Sequence, residues 1–305
     1  MEHFIIVEKI LLNIGIILLG YLFKRLKIIP DNAGDVLSKI VLYITLPATI
    51  LIVFSEHTIN LHLLILPIIS ILLGLLTFLL GYFIVKKVKL DDEDKWTLLV
   101  SICGYNIGLF ALPFIQQVYG SKGVMTISMF DIGNSFIVFG LAYAVAFLGS
   151  DKENFNLKEV IRKIIFFFPL DIYLLSLLMN FLNIKLERIV KDFIYQLSIP
   201  NSFLALFTIG YFLDFNLNKD ELKALGIGMF VKFLPGIILF LLLAFLFDTS
   251  QLIVKIIAIG SILPTPMVAV VYSNERGLNS KLASVFITMS IVIGVILMSI
   301  VMLKW

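Results

Sequence analysis

Two ionisable residues lie inside long apolar stretches of this sequence, away from its other charges. Asp131 occurs in "SMFDIGNSF" (128–136), and Lys232 occurs in "GMFVKFLPG" (228–236). If these stretches cross a membrane, each charge costs about 2.5–3.5 kcal/mol on insertion scales and needs a partner in the bundle interior. Asn134 lies three residues after Asp131, so both side chains are on one helix face and can coordinate a cation or relay a proton.

Lys232 has two functional interpretations. It can pair with Asp131, or it can supply positive charge to an anionic substrate. The structural alternative is a buried Asp–Lys pair that only joins two parts of the fold. The choice between them depends on what else lies in the membrane interior.

Two other apolar stretches contain residues that break helices. "GYNIGLFALP" (104–113) has two glycines, an asparagine and a proline, and "GSILPTPM" (260–267) has two prolines around one threonine. Proline costs about 3 kcal/mol in a helix interior. In lipid such breaks persist where the backbone is buried in protein or lines a wet cavity. Half-helix N-termini at two crossing breaks carry partial positive charge and free N–H groups, which suit a carboxylate.

Together these residues predict one binding site. The predicted substrate-binding residues are Asn106, Gly108, Asp131, Asn134, Lys232, Pro264, Thr265 and Pro266. The predicted crossover and hinge residues are Gly104, Tyr105, Pro113, Pro47 and Pro200. No cofactor is expected, and Asp131 is the predicted position of a coupling sodium ion or proton.

The elements that must position these residues are apolar runs of membrane-spanning length. Of the 305 residues, 60% are hydrophobic and 15% are charged, whereas a soluble domain has about a quarter charged. About 20 apolar residues cross a bilayer as a helix, and we predict ten such spans. They cover residues 3–23, 36–55, 60–84, 97–118, 122–148, 164–183, 192–213, 223–247, 251–272 and 281–303. This pattern is typical of an all-α polytopic membrane protein.

Composition and motifs exclude several other classes. The net charge of +3 does not indicate nucleic-acid binding, because the basic residues fall in loops between spans. One cysteine excludes an internal disulfide, and the three histidines have no metal-ligand spacing. The sequence has no H-E-x-x-H, G-x-S-x-G or P-loop motif, so an enzyme is not expected. A channel is disfavoured because no filter-like repeat occurs.

The spans divide into a first five-helix repeat (1–148), a cytoplasmic connector (149–163) and a second five-helix repeat (164–305). Because five is odd, the two halves are inverted relative to one another. "TLPATILIVFS" (45–55) in span 2 corresponds to "SIPNSFLALFTIG" (198–210) in span 7, and the breaks fall in spans 4 and 9. Interrupted segments at matching positions in two halves indicate a transporter site. Most lysines and arginines lie in one set of loops, which predicts both termini outside.

Three segments resemble the auxin efflux carrier family, which includes plant PIN-type carriers and many prokaryotic permeases. They are "ILLGYLFKRLKIIPDNAGDVLSKIVLYITLPATIL" (17–51), "YNIGLFALP" (105–113) and "LPTPMVAVVYSNERGLNSKLAS" (263–284). The resemblance implies a ten-helix inverted-repeat fold similar to sodium/proton antiporters, with broken helices 4 and 9 crossing. It implies transport of a small organic anion, and it assigns Asn106 and Pro264 to the crossover where substrate binds. Dimers occur in the family, so the resemblance also allows a homodimer.

Two departures from the plant members bear on the substrate. Those members have proline immediately before the fourth-helix asparagine, where this chain has Tyr105, and they carry a long loop between the halves. Both differences favour a prokaryotic-type carrier of another carboxylate, such as a dicarboxylate, over auxin itself. The expected function is secondary transport of a small organic anion across the cell membrane by alternating access. The alternative is a sodium- or proton-coupled cation exchanger on the same fold that uses Asp131.

Overall fold

The computed structural model describes residues 2–150, 156–215 and 222–305, and every regular element in these ranges is helical. The α-helices are α1 (Glu2–Arg25), α2 (Ala33–Ile40), α3 (Leu46–Glu56), α4 (Ile65–Val85), α5 (Asp92–Ile102), α6 (Leu112–Ser135), α7 (Ala142–Leu148), α8 (Leu157–Ile165), α9 (Phe168–Phe181), α10 (Arg188–Ser198), α11 (Asn201–Phe212), α12 (Leu222–Leu246), α13 (Leu252–Ser261), α14 (Val268–Arg276) and α15 (Ser280–Lys304). A 3₁₀-helix covers Leu61–Leu64, and π-helices cover Val41–Thr45, Ile107–Ala111 and Phe136–Leu141. The predicted all-helical class is confirmed for the described residues.

Many of these helices are long and apolar enough to cross a membrane. Within the described ranges, seven helical runs meet that condition: His3–Arg25, Ala33–Glu56, Leu61–Val85, Ile107–Leu148, Arg188–Phe212, Leu222–Leu246 and Ser280–Lys304. The bent pair α8 and α9, with an angle of 55° between its halves, would make an eighth if it is one span. The chain is therefore a multi-pass membrane protein, and the count of ten spans stays a prediction.

One helical run is too long for a single crossing. Ile107–Leu148 contains 42 residues, which would extend about 63 Å as a straight helix, twice the thickness of the hydrocarbon core. Gly120 interrupts it with φ 63° and ψ −161°, a backbone conformation that favours glycine. This kink falls between the predicted spans 97–118 and 122–148.

The chain forms two compact units, each assembled from both halves of the sequence. The first unit contains Met1–Leu66, Ile107–Ile132 and Phe166–Phe212. In it α1 packs along α11, and α3 packs against α9 and α10. A Cβ on Gly210 would lie 1.8 Å from the carbonyl oxygen of Ile17, so glycine permits the close approach of α1 and α11.

The second unit contains Pro67–Asn106, Gly133–Ile165 and Leu213–Trp305. In it α12 packs against α5 and α13, and α15 packs against α14 and α5. The proposed division at residues 148 and 164 stays a prediction, and residues 151–155 of the predicted connector lie outside the described part of the chain. The second unit contains the first predicted helix break as far as Asn106 and the whole of the second break. It is therefore the unit in which the candidate site is described.

Candidate functional site

The first break lies between α5 and the π-helix that begins at Ile107. Cys103 leaves the helix with ψ 124°, and Gly104 follows with φ +70°. A Cβ on Gly104 would lie 2.3 Å from Cγ2 of Val138. Both the positive φ and the lack of space therefore require glycine here. The interruption predicted in span 4 is present, and Gly104 turns the chain at it.

The second break lies between α13, which ends at Ser261, and α14, which begins at Val268. Pro264 and Pro266 supply no backbone donors in this segment. The N–H of Thr265 between them donates to Oγ of Ser290 on α15 at 3.1 Å. The interruption predicted in span 9 is therefore also present, and a side chain of α15 satisfies the donor that lies between the two prolines.

The two breaks bind each other through their freed backbone groups. The N–H of Asn106 donates to the carbonyl oxygen of Pro264 at 2.8 Å. The hydroxyl of Thr265 donates to the carbonyl oxygen of Ser101, near the end of α5, at 2.7 Å. Each interruption thus supplies hydrogen-bond partners that a continuous helix would have supplied internally. Backbone groups in apolar surroundings need such partners, because no water is present to replace them.

Asn134 acts on the backbone of the first break. Its Nδ2 donates to the carbonyl oxygen of Tyr105, and its Oδ1 accepts from the N–H of the same residue, each at 2.8 Å. The amide therefore satisfies both backbone groups of Tyr105 in an unwound segment. The residue predicted as a substrate ligand has, in this arrangement, a positioning contact with the hinge.

Lys232 on α12 is completely buried, with 0% of its surface exposed. Its Nζ donates to the carbonyl oxygen of Gly104 and lies 3.4 Å from that of Ile102. It also lies 4.2 Å from the ring centroid of Tyr105, a cation–π distance. Within the described residues of the second unit, no carboxylate lies at ion-pair distance from this ammonium group. Carbonyl oxygens released by the helix break are therefore its partners.

Asn106 has an unused donor at the same break. The residue is 5% exposed, and its Nδ2 has no hydrogen-bond partner among the described residues. Most buried polar atoms in proteins are hydrogen-bonded, so an unsatisfied one at an interruption indicates a ligand or ordered water. The amide donor of Asn106 thus lies two residues after Gly104, whose carbonyl oxygen accepts a hydrogen bond from the Lys232 ammonium group.

The remaining predicted site residues belong to the first unit. Asp131 on α6 is 9% exposed and its Oδ2 accepts a hydrogen bond from Oη of Tyr173 on α9 at 2.9 Å. Gly108 lies in a π-helix, where a Cβ would be 2.9 Å from a side-chain carbon of Leu46. Asp131 is thus a buried carboxylate with a phenol donor, which suits a protonatable group or a cation ligand.

Three predicted hinge prolines also lie in the first unit. Pro47 and Pro113 are each the second residue of an α-helix, α3 or α6, that follows a π-helix. A π-turn moves the carbonyl group with which the proline ring would clash, so both prolines fit without a full break. Pro200 separates α10 from α11, and beside it Asn201 accepts a hydrogen bond from Thr45 at 2.8 Å. The matched proline segments of spans 2 and 7 therefore meet.

Some residues of the site are not among the sequence-predicted ones. Ser101 and Ser290 partner Thr265, and Tyr173 partners Asp131. The sequence shows each of them only as a hydroxylated residue within an apolar span, and such residues are common in membrane helices. Such a residue does not by itself indicate which distant segment it contacts.

A multi-pass helical fold with two interrupted segments in hydrogen-bonded contact defines the class of membrane transporters. Residues 5–302 match the profile described as membrane transport protein, and the chain belongs to this family, the auxin efflux carrier (PIN-like) family. It is a transporter and not an enzyme.

Two archaeal proteins are similar over nearly the whole chain. An uncharacterized transporter of Methanocaldococcus jannaschii is 28% identical over 300 residues, covering 92% of this chain and 93% of the relative. An uncharacterized transporter of Methanothermobacter thermautotrophicus is 21% identical over 295 residues, covering 95% of each chain. Both similarities support a prokaryotic-type member of the family.

Proposed function

We propose that this protein is a secondary transporter that moves a small organic anion, a monocarboxylate or dicarboxylate, across the cell membrane. The anion binds at the contact between the helix breaks of spans 4 and 9. One observation carries the proposal: the amide donor of Asn106, which has no partner within residues 2–150, 156–215 and 222–305, lies at the unwound segment that the fully buried ammonium group of Lys232 contacts.

The chemistry of these two groups favours an anion. An ammonium group has three N–H donors, and two carbonyl contacts leave one of them for a ligand. The Nδ2 of Asn106 offers another donor. A carboxylate accepts hydrogen bonds at both oxygens and compensates the buried positive charge, whose neighbours are otherwise two carbonyl dipoles and the ring of Tyr105. A cationic substrate would meet like charge at this position.

The architecture that we propose for transport has ten helices in two inverted five-helix repeats, with both termini outside. The paired proline segments of spans 2 and 7 and the paired breaks of spans 4 and 9 support this arrangement. Alternating access then exposes the anion site first to one side of the membrane and then to the other. The chain can act as a homodimer in the same scheme.

Uptake into proteoliposomes tests the proposal. Purified protein is reconstituted and supplied with labelled acetate, succinate, malate and indole-3-acetate, with the wild type compared against Lys232→Met. We expect at least one carboxylate to accumulate above protein-free liposomes, and we expect the substitution to reduce its initial rate at least tenfold. Lys223→Met is the matched control, because Lys223 is an exposed lysine on the same helix.

The outcomes distinguish a wrong substrate assignment from a loss of transport caused by misfolding. If none of these anions moves and none shifts the melting temperature, the anion assignment is wrong. Equal loss of transport in Lys223→Met would show that Lys232 has no specific role. A melting temperature measured for each variant identifies those that fail through misfolding.

A second candidate function rests on Asp131. Its burial and its hydrogen bond from Tyr173 favour a sodium- or proton-coupled cation exchanger on the same fold. In that case Asp131→Asn should abolish stabilisation by sodium, or its dependence on pH, in the absence of any organic ligand. A variant that keeps its full response to both ions would eliminate this candidate.

A further inference from the structure

A small polar cavity opens on the first unit between the end of α3 and the end of α9. Its volume is about 130 Å³, which is room for roughly four water molecules at about 30 Å³ each. Glu56, His57 and Lys185 line its outer part, and Ser176 lines it from α9. None of these residues belongs to the proposed anion site, so the cavity needs an explanation of its own.

The wall of this cavity is fixed by a single amide. Nδ2 of Asn180 donates to the carbonyl oxygens of Phe54 at 2.7 Å and of His57 at 2.6 Å. Its Oδ1 accepts from the N–H of Ile59 at 3.1 Å. The chain after α3 is therefore bound to α9 through its own backbone groups. Such a satisfied wall indicates a preformed cavity rather than loose packing between two loops.

Ser176 is the most buried polar residue that lines the cavity. It is 3% exposed, and its hydroxyl oxygen has no hydrogen-bond partner in the part of the chain that the structure describes. Buried polar groups that lack a protein partner are usually satisfied by ordered water when a polar cavity of sufficient size adjoins them. The serine therefore indicates that water occupies the cavity.

Ser176 lies one helical turn from the buried carboxylate. Tyr173 precedes it by three residues, so the two side chains lie on the same face of α9. The Oη of Tyr173 donates to Oδ2 of Asp131 at 2.9 Å. From the cavity towards the buried carboxylate, polar side chains thus follow in the order Ser176, Tyr173 and Asp131.

We propose that this cavity is the aqueous entrance of a route by which a monovalent coupling cation, a proton or a sodium ion, reaches Asp131. The inference rests on the transporter assignment but not on the identity of the transported anion. The proposed route passes the hydroxyl groups of Ser176 and Tyr173. It ends at a carboxylate, which attracts cations and repels the organic anion.

The charges at the entrance are compatible with cation entry. Glu56 pairs with Lys191 at 3.1 Å, and Nε2 of His57 lies 2.7 Å from Oγ of Ser121. Lys185 is exposed and remains free to turn towards solvent. The titratable groups along the route are therefore Glu56, His57, Lys185 and Lys191 outside and Tyr173 beside Asp131.

Thiol labelling in purified protein tests the entrance directly. Because Cys103 is the single cysteine, Cys103→Ala provides a background in which Ser176→Cys is the only thiol. Its thiolate attacks aminoethyl methanethiosulfonate, forming a mixed disulfide and releasing methanesulfinate. We expect this reaction to be at least tenfold faster than that of Ser70→Cys. Ser70 on α4 is the matched control because it is 1% exposed and does not line the cavity.

A second arm tests whether the route continues to Asp131. In the same background Asp131→Cys should react with the reagent, and the added substitution Ser176→Leu should slow that reaction at least tenfold. Leucine fills the deep end of the cavity and adds no charge. The melting temperature of each variant, measured alongside, identifies variants whose labelling reflects unfolding. Neither arm requires a transported substrate, so failure of the anion assignment would not affect the result.

Each outcome decides the proposal. Equal labelling of Ser176→Cys and Ser70→Cys would show that water does not enter the cavity and would overturn it. If Ser176→Leu does not slow the labelling of Asp131→Cys, the route past Ser176 is wrong. The cavity is then a pocket that does not lead to Asp131. If both arms succeed, slower labelling of Ser176→Cys in sodium chloride than in choline chloride identifies sodium as the cation. Equal rates in the two salts assign the route to protons.

Discussion

Asn106 and Pro264, from opposite halves of the sequence, are joined by a hydrogen bond of 2.8 Å between the N–H of the first and the carbonyl oxygen of the second. In the part of the chain that the structure describes, the side-chain Nδ2 of Asn106 has no hydrogen-bond partner. The backbone of one interrupted segment thus holds the other in place, while the asparagine amide stays available to a ligand. The predictions below separate the residues that hold this arrangement from those that bind the solute.

Asn134 should hold the first break in place. Asn134→Asp keeps the acceptor for the N–H of Tyr105 but removes the donor to its carbonyl oxygen and places a charge there. We expect a loss of about 1–3 kcal/mol in the free energy of unfolding. Denaturation in detergent measures it. Asn60→Asp is the control, since Asn60 uses only its side-chain oxygen, to cap a 3₁₀-helix. A loss in both variants, or in neither, would contradict this role.

Gly104 should tolerate no side chain. Gly104→Ala introduces a Cβ at a positive φ and within 2.3 Å of Val138. We expect a marked fall in melting temperature and loss of transport. Gly226→Ala on α12 is the control, because a Cβ there meets nothing within 4 Å and alanine favours a helix by about 1 kcal/mol over glycine.

The double variant Gly104→Ala/Val138→Ala separates the clash from the backbone strain. It should recover part of the lost stability, because the clash is relieved while the positive φ remains strained. Full recovery would show that the backbone conformation at Gly104 is not constrained. No recovery would show that the contact with Val138 is unimportant.

Thr265 should act through its hydroxyl group. Thr265→Val preserves the shape of the side chain but leaves the buried carbonyl oxygen of Ser101 without its donor. We expect a cost of about 1–3 kcal/mol in unfolding free energy, whereas Thr265→Ser keeps the donor and should cost less. Chemical denaturation of both variants checks the order. The opposite order would assign the effect to the methyl group and to packing.

Arg276 should fix the end of the second broken helix to α8. It is buried and contacts Glu159 and Tyr143, so Glu159→Gln removes the carboxylate from a partly buried ion pair. We expect a clear loss of thermal stability. The control is Glu275→Gln, whose partner Lys163 is 3.4 Å away in a largely exposed pair, and such pairs contribute at most about 1 kcal/mol. Equal effects of the two substitutions would contradict this difference.

The sequence was sufficient to place the interruptions. Glycine and proline act locally on the backbone, so Gly104 and the Pro264–Pro266 segment mark breaks that are visible without any partner. The helical class followed from the length of the apolar runs, because lipid permits few alternatives to a helix.

The partners of the polar residues could not be predicted in the same way. Asn134 was interpreted as a ligand of the solute, but its amide is occupied by the backbone of Tyr105. Lys232 contacts carbonyl oxygens of the break, which carry no sequence signature. Such contacts join segments far apart in the chain, and an amide or ammonium group is equally suited to backbone, ligand or ion. Only the three-dimensional arrangement distinguishes these roles.

The most direct test is the equilibrium affinity of purified protein for the carboxylate that it transports, compared between the wild type and Asn106→Asp. The aspartate is nearly the same size but replaces the unpartnered donor with a negative charge. We expect the dissociation constant to rise at least tenfold, since hydrogen bonds to charged groups contribute about 1.5–3 kcal/mol. An unchanged dissociation constant in a folded variant would show that the anion binds elsewhere.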